Sequence, residues 1–254
     1  VVDPNPKRRL QIGKLWIDAL TFAEAIDAIE ALVRDGGGAV FTPNIDHVVN
    51  AESDAQFRAA YSRVALSLVD GKPLVWVSPL LGLKLPEKIS GSDLIAPVME
   101  RAGQRGWGAY LLGGAPGVAP RAAEILSQRY AVRVVGHASP SVGPRGECEP
   151  SVLDAIRAAR PQLVLVAFGS PKQELFIDTH AAQLAPSVSL AIGAGLDFVT
   201  GAVRRAPAWM SKAGLEWLYR LAREPRRLWR RYLVNDPKFA LILLESLRSA
   251  RGRQ

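Results

Sequence analysis

The rhythm of the second half is what most constrains the fold of this chain. Four strand-like runs, WGAYLLGG, VRVVGHA, QLVLVAFGSP and SVSLAIGAGLDFV, alternate with three amphipathic stretches, PGVAPRAAEILSQRY, SVLDAIRAARP and KQELFIDTHAAQL. Strands that are apolar on both faces, separated by helices long enough to cross over, make a parallel sheet covered on both sides. The expected fold class is therefore α/β, a Rossmann-like, mostly parallel sheet flanked by helices. In such sheets ligands gather at the carboxyl ends of the strands, so the strand ends are the places to look for chemistry.

The first half supports the same reading with less regularity. LQIGKLWIDAL alternates as a short strand or hairpin. TFAEAIDAIEALVRDGGG is a helix: Thr21 is placed as N-cap with Glu24 three residues on, the capping-box spacing, and a glycine run ends it. AVFTPNIDHVV gives a strand over 39–42 that stops at Pro43. A helix over about 51–62, the strand ALSLV running into Asp70-Gly71, and a helix over about 92–105 follow.

Charge divides the chain unequally. From Arg204 onward there are 13 Lys/Arg against 4 Asp/Glu, whereas residues 1–203 hold 19 and 20. The whole net charge of +8 thus belongs to the tail, and the expected organisation is an α/β core over 1–203 with a basic helical appendage over 204–254. A single cysteine, Cys148, rules out an internal disulfide and a multi-cysteine metal site; it reads as a loop thiol suited to a reducing cytosol. VVDPNPKRR has no apolar core, so no signal peptide is expected, and no window reaches the length of a membrane span.

The strand ends hold short polar groups. Thr42 and Asn44 leave one strand and Asp70 another; a carboxylate beside apolar surroundings can be tuned as a general base. His47 reads as an orienting or core residue. Gly113 and Gly114 stand between a strand and a helix, where bare amides could hold phosphate, or where the chain simply turns tightly. In FGSPKQE, Lys172 and Gln173 are expected to point donors above the sheet, with Glu174 accepting a hydroxyl; an ordinary solvated first turn is the bland alternative. Asp197 lies just past a glycine-softened strand end, suited to sugar hydroxyls or to capping a loop. No HExxH, DxD or His/Asp metal spacing is present, so no catalytic metal is expected.

The tail stretch RLAREPRRLWRRYLVNDPKF carries six arginines in its first twelve positions. On a helix from about residue 213, Arg220, Arg223, Arg227 and Arg230 would share one face, with Pro225 expected to break or kink it. Leu218, Leu221, Leu228, Trp229 and Tyr232 supply apolar and interfacial surface. That composition suits a membrane surface: anionic headgroups attract each cation by about 1 kcal/mol, and Trp and Tyr favour the interface. FALILLESL, beyond it, reads as a short apolar helix that packs on the body or dips into lipid.

Taken in order, TPNIDHVVNA, VDGKPLVW, LPEKISGSDL, YLLGGAPGVA, FGSPKQELFI, IGAGLDFVTGAVRRAPAW and GLEWLYRLAREPRRLWRRY resemble the WecG/TagA/CpsF family of bacterial glycosyltransferases (glycosyltransferase family 26), from about residue 10 to about 240. The resemblance implies an inverting, metal-independent transfer from a UDP-sugar to a polyprenyl-diphosphate-linked saccharide, with no cofactor, at the cytoplasmic face of the bacterial plasma membrane. The sugar it implies is N-acetylmannosamine, its uronic acid, glucose or glucuronic acid, for teichoic-acid linkage units, enterobacterial common antigen or exopolysaccharide. It assigns residues 10–105 to the acceptor and base and 106–203 to the nucleotide-sugar. By motif it makes Asp70 the general base, puts Thr42 and Asn44 in its pocket, and relates Gln173 and Asp197 to the donor. Lys172 and the Gly113–Gly114 turn come from the strand-end argument alone. Where the family usually has arginine before the SGSDL turn, this chain has Lys88, which keeps the charge but loses the bidentate fork. Without a metal, cations must stabilise the departing diphosphate, and the tail arginines are expected to supply them.

Two other readings fit the sequence less well. A nucleic-acid-binding protein with a basic C-terminal arm would need a reading helix or stacking aromatics in the body, which is near neutral and offers neither. A dinucleotide-dependent oxidoreductase would need GxGxxG and a later acidic residue, which the chain lacks. Anionic membrane, UDP-sugar and lipid-linked acceptor are the expected partners, with oligomerisation left open.

Overall fold

The computed structural model describes residues 8–207, 209–210 and 213–251, the side chains of 227 and 249–251 excepted. Strands β1 (Arg9–Ile12) and β2 (Leu15–Asp18) form an antiparallel hairpin that turns at Gly13 and Lys14. Asp18 is buried here: Arg9 Nε donates to it at 2.6 Å, and it accepts from the Ser67 amide at 2.8 Å, tying the hairpin to the sheet.

Six strands build one parallel sheet: β3 (Gly38–Phe41), β4 (Leu66–Ser67), β5 (Gly108–Gly113), β6 (Arg133–Ala138), β7 (Leu163–Ala167) and β8 (Val188–Ala191), in the order β4-β3-β8-β7-β5-β6. The last strand in sequence thus lies between the two halves of the chain, so both halves share one sheet. Helices α1 (Phe22–Asp35), α2 (Ile45–Ser53), α3 (Ala55–Ser62), α4 (Lys72–Val77), α5 (Gly91–Arg105), α6 (Val118–Tyr130), α7 (Pro150–Ala159), α8 (Lys172–Thr179), α9 (Ala181–Leu184) and α10 (Gly195–Thr200) cover it. The Thr21–Glu24 capping box forms as the spacing predicts.

Two cores mark the two faces. Phe41, Val164 and Val166 pack with α2, α3, α7 and α8 on one; Val40, Leu163, Leu165 and Leu190 pack with α1, α5, α6 and α10 on the other. After β3 the chain passes to the first face, and after the neighbouring β8 to the second. Adjacent parallel strands whose helices leave on opposite faces open a crevice at their carboxyl ends, the usual binding place of open α/β sheets.

Some boundaries differ from expectation. The helix foreseen over 51–62 is two helices, because Asn44 caps one at His47 N and Asp54 caps the next at Phe57 N. KQELFIDTHAAQL likewise breaks at His180. The strand SVSLAIGAGLDFV ends at Ala191; Gly193, at φ +55°, turns the chain into α10 and puts Asp197 in that helix's first turn.

The change of charge at 203 does not mark a break in packing. Pro225 opens a new helix, Pro225–Arg230, after Glu216–Arg223, as its missing N–H permits. A π turn (Arg231–Asn235) and the helix Phe239–Arg251 follow. Leu228, Phe239 and Ile242 are buried, the last two in the same core as the hairpin, and Ser246 Oγ accepts from the Gly13 amide at 3.1 Å. The opposite side of the last helix leaves Leu241 and Leu244 exposed.

Candidate active site

Over the carboxyl ends of β3, β7 and β8 lies a cleft of about 510 Å³. The β3 end gives it Thr42 and Asn44, the β7 turn Gly169, Ser170, Lys172 and Gln173, and the β8 turn Gly193 and Asp197. A second cleft of about 250 Å³ runs between α4 and the tail, lined by Lys72, Lys88, Trp217 and Tyr232 among others. Asn44, Asp70, Glu216, Arg220 and Arg231 line both. Asp70 therefore stands in the shared wall of two clefts.

Local hydrogen bonds hold that wall. The Asp70 amide donates to Pro43 O at 2.8 Å and the Ile89 amide to Val69 O at 2.7 Å, pinning the loop after β4 to its neighbours. Thr42 Oγ1 accepts from the Gly91 amide at 3.2 Å, so it fixes the start of α5 while facing the larger cleft. Gly91 is required there, since a Cβ would fall 2.3 Å from Ala191 O.

The electrostatics single out Asp70. Burial raises its pKa to about 6, with Lys88 and Arg220 pulling down and Glu216 and Asp93 pushing up. Such a carboxylate is largely ionised near neutrality yet basic enough to take a proton, the property a general base needs. Lys88 Nζ lies 3.0 Å from Asp93 and 3.9 Å from Glu216. Burial works against its charge, but Asp70 and Asp93 outweigh it and raise the pKa.

His47 is buried, with Nδ1 2.8 Å from the Tyr61 hydroxyl, and burial lowers its pKa to about 3. It is neutral and contributes to the floor of the larger cleft. Asn44 accepts from the His47 amide as helix cap and from Arg231 Nη2 at 3.2 Å. Gln173 is buried at the cleft wall: its Oε1 accepts from the Gly193 amide at 3.0 Å and its Nε2 donates to Glu174 at 2.7 Å. Lys172 lines the cleft while Nζ donates to Val142 O at 3.0 Å.

Other expected residues fall elsewhere. Glu174 is fully buried and is not among the lining residues of the cleft, so it does not reach out to accept a hydroxyl. Gly113 and Gly114 do not line it either. Their lack of side chains serves packing, since a Cβ would fall 2.5 Å from Ala167 O at the first and 2.7 Å from Val118 Cγ1 at the second. Of the tail arginines, Arg220 lines the shared wall. Arg223 is exposed beside the Tyr219 ring and Arg230 beside the Trp229 ring. The side chain of Arg227 lies outside the described residues. Arg220 and Arg230 thus do not share a face, because the helix ends at Arg223 and Pro225 starts another.

Arg231, Glu216, Trp217 and Tyr232 were not foreseen as site residues. Arg231 Nε is 3.5 Å from Asp46, whose pKa burial raises against the pull of that arginine. The signal was present in LWRRY: with Leu228 facing inward, positions three and four later, Arg231 and Tyr232, face inward too. Cys148, which has no histidine nearby in sequence, lies 3.7 Å from His180 Nε2, but burial raises the thiol's pKa and the ring nitrogen also contacts Gly146 O.

A half-buried carboxylate of raised pKa between two clefts, with cations on the shared wall, is an arrangement suited to group transfer between two substrates. The sequence model of the Glycosyl transferase WecG/TagA/CpsF family matches residues 10–253, and the chain belongs to that family. It is also similar to an N-acetylglucosaminyldiphosphoundecaprenol N-acetyl-beta-D-mannosaminyltransferase of Bacillus spizizenii, 30% identical over 220 residues, 86% of this chain and 83% of that protein. The protein is a glycosyltransferase. Among the described residues no helix is long and apolar enough to cross a membrane, and no cluster of three or more His, Cys, Asp or Glu is placed to hold a metal.

Proposed function

We propose that this enzyme transfers N-acetylmannosamine from its UDP-sugar to N-acetylglucosamine on a polyprenyl diphosphate, with inversion and without a metal. The sugar and acceptor follow the activity for which the Bacillus relative is named. The observation that carries the reading is the place of Asp70, in the wall common to both clefts with its carboxyl held at about 6.

The larger cleft takes the UDP-sugar. Gln173 and Asp197 meet the donor there, with Lys172 and the β7 and β8 turns around it. The smaller cleft takes the acceptor sugar and its diphosphate, beside the aromatic surfaces of Trp217 and Tyr232. An inverting displacement needs the incoming hydroxyl and the departing UDP on opposite sides of the anomeric carbon. Asp70 removes the hydroxyl proton as the new glycosidic bond forms. The charge growing on UDP is met by Arg220 and Arg231, preorganised donors of the kind that stabilise such leaving groups, while Lys88 lies on the acceptor side. The tail holds the protein peripherally on the cytoplasmic face of the membrane, where the lipid-linked acceptor is found.

The test is turnover of a panel of UDP-sugars with a short-chain lipid-diphosphate N-acetylglucosamine acceptor, read as UDP release and by the anomeric configuration of the product. UDP-N-acetylmannosamine should react, give the β-anomer and be insensitive to chelator. Asp70→Asn should lower kcat by at least about 100-fold with little change in UDP-sugar affinity. Retained turnover in that variant would exclude Asp70 as the base.

A further inference from the structure

Gln173 and Glu174 are adjacent in sequence at the start of α8, yet only the first meets the larger cleft. A glutamate with no exposed surface is costly to keep in a core, and burial raises its pKa to about 7. An apolar residue of the same shape would cost the fold less, so the carboxylate invites a reason beyond packing. Its Oε1 accepts from the side chain of its neighbour Gln173, and hydrogen bonds from the Ser170 side chain and its own amide partly offset the cost of burial.

The bond to Gln173 removes an ambiguity. A glutamine amide can present either its oxygen or its nitrogen to a ligand, because the two ends have nearly the same shape. Here the oxygen receives the Gly193 amide, from the turn after β8, and one Nε2 hydrogen goes to Glu174. Turning the amide over would set the NH₂ group against the Gly193 N–H and the oxygen against the carboxyl oxygen. The second Nε2 hydrogen is the donor left for the cleft.

We propose that Glu174 is a positioning residue: it locks the Gln173 amide so that Nε2–H faces the larger cleft and donates to a hydroxyl, acyl or phosphate oxygen of the bound nucleotide-sugar. This deepens the reading of that cleft as the donor site and rests on it. Glu174 touches no substrate; it acts through Gln173 and, through the same amide, steadies the β8 turn that carries Asp197.

The experiment is a double-mutant cycle on the full chain with UDP-N-acetylmannosamine as probe, alongside melting temperatures. Glu174→Met keeps the length and removes the acceptor; the donor KM should rise about tenfold, as for loss of one charge-assisted bond, with kcat less affected. Glu174→Gln retains a carbonyl acceptor and should restore most of the KM. In a Gln173→Ala background, Glu174→Met should cost nothing more. Additive losses, or a Gln variant as impaired as the Met variant, would overturn the proposal. Should Glu174→Met not fold, side-chain amide NMR of the wild type decides. One Gln173 Nε2 proton should be protected and the other should exchange until the UDP-sugar is added; equal exchange of both sinks the idea. A wild type that binds no UDP-sugar fails the donor-site reading, whereas one that binds it equally well with Glu174→Met fails this inference alone.

Discussion

Arg231 donates from Nη2 to the side-chain oxygen of Asn44 at 3.2 Å, joining the basic tail to the helix that follows β3. The same guanidinium lies 3.5 Å from Asp46, and its side chain is about one-quarter exposed. Its neighbour Arg230 points to solvent beside Trp229. Two adjacent cations therefore have different surroundings, and different consequences follow from removing each.

Arg231→Ala takes a cation from the wall of both clefts and leaves buried Asp46 with Asn50 but without its nearest cation. Loss of a charge-assisted, partly buried contact is worth roughly 1.5–3 kcal/mol, so kcat/KM should fall about 10- to 100-fold. Arg231→Lys should recover part of it, because charge returns without the planar fork. Arg230→Ala should change turnover of a water-soluble acceptor by less than about threefold, the scale of an exposed contact. Steady-state kinetics on the three variants check this; equal losses for Arg230 and Arg231 would contradict the geometry.

The activity should have an acidic limb set by Asp70. The base works only when ionised, so kcat/KM should climb with pH to an inflection near 6 and level off above it. Two neighbours move that inflection in opposite directions. Lys88→Met removes a charge that lowers the Asp70 pKa and should shift the limb upward. Glu216→Gln removes one that raises it and should shift the limb downward. The pH profiles of the two variants decide the matter, and a limb that ignores both assigns it to another group.

The strand ends were readable because parallel-sheet chemistry needs little beyond local pattern. Thr42, Asn44, Asp70, Gln173 and Asp197 follow apolar runs, and all five line the cleft over the sheet. What local pattern does not carry is the order of strands. Placing β8 between β3 and β7 is a matter of long-range packing, and it is that order which brings Gly193 to Gln173. The tail failed for a different reason. A helical wheel drawn through Pro225 assigns Arg230 to the site, whereas the restarted helix is oriented by burial of Leu228 and turns Arg231 inward. Glu174 was expected to accept a ligand hydroxyl because the first turn of α8 stands at a strand end, whereas its side chain is buried in the core. The loop at Gly146 packs so closely on α8 that a Cβ there would fall 2.4 Å from Phe176 N.

Stability should respond to pH through Glu174. Its folded-state pKa, about 7, is above the ordinary value of 4.5, so the folded protein binds the extra proton between those limits. The stability tied to this proton is fully present below about 4.5 and is lost as pH rises through about 7. Glu174→Gln abolishes the titration. Relative to wild type it should gain stability above pH 7, by about 3 kcal/mol from the size of the shift, and the gain should vanish near pH 4. Urea unfolding of both proteins at pH 4, 6 and 8 measures it; a pH-independent difference would mean the carboxyl is not the titrating group.

The helix Phe239–Arg251 should separate into a packing side and a lipid side. Phe239 and Ile242 are buried in the hairpin core, at 7% and 8% exposure, whereas Leu241 and Leu244 are 65% and 52% exposed. Truncating a buried Phe costs about 3–5 kcal/mol, so Phe239→Ala should loosen the tail and open it to proteolysis. Leu241→Ala with Leu244→Ala removes no core contact, and the melting temperature should stay within about 2 °C of wild type. If this side meets the bilayer as proposed, the same double variant should bind vesicles of anionic phospholipid several-fold more weakly, since each leucine withdraws apolar area from the interface. Flotation with wild-type affinity would remove these leucines from the membrane contact and leave it to the arginines and tryptophans of the preceding helices.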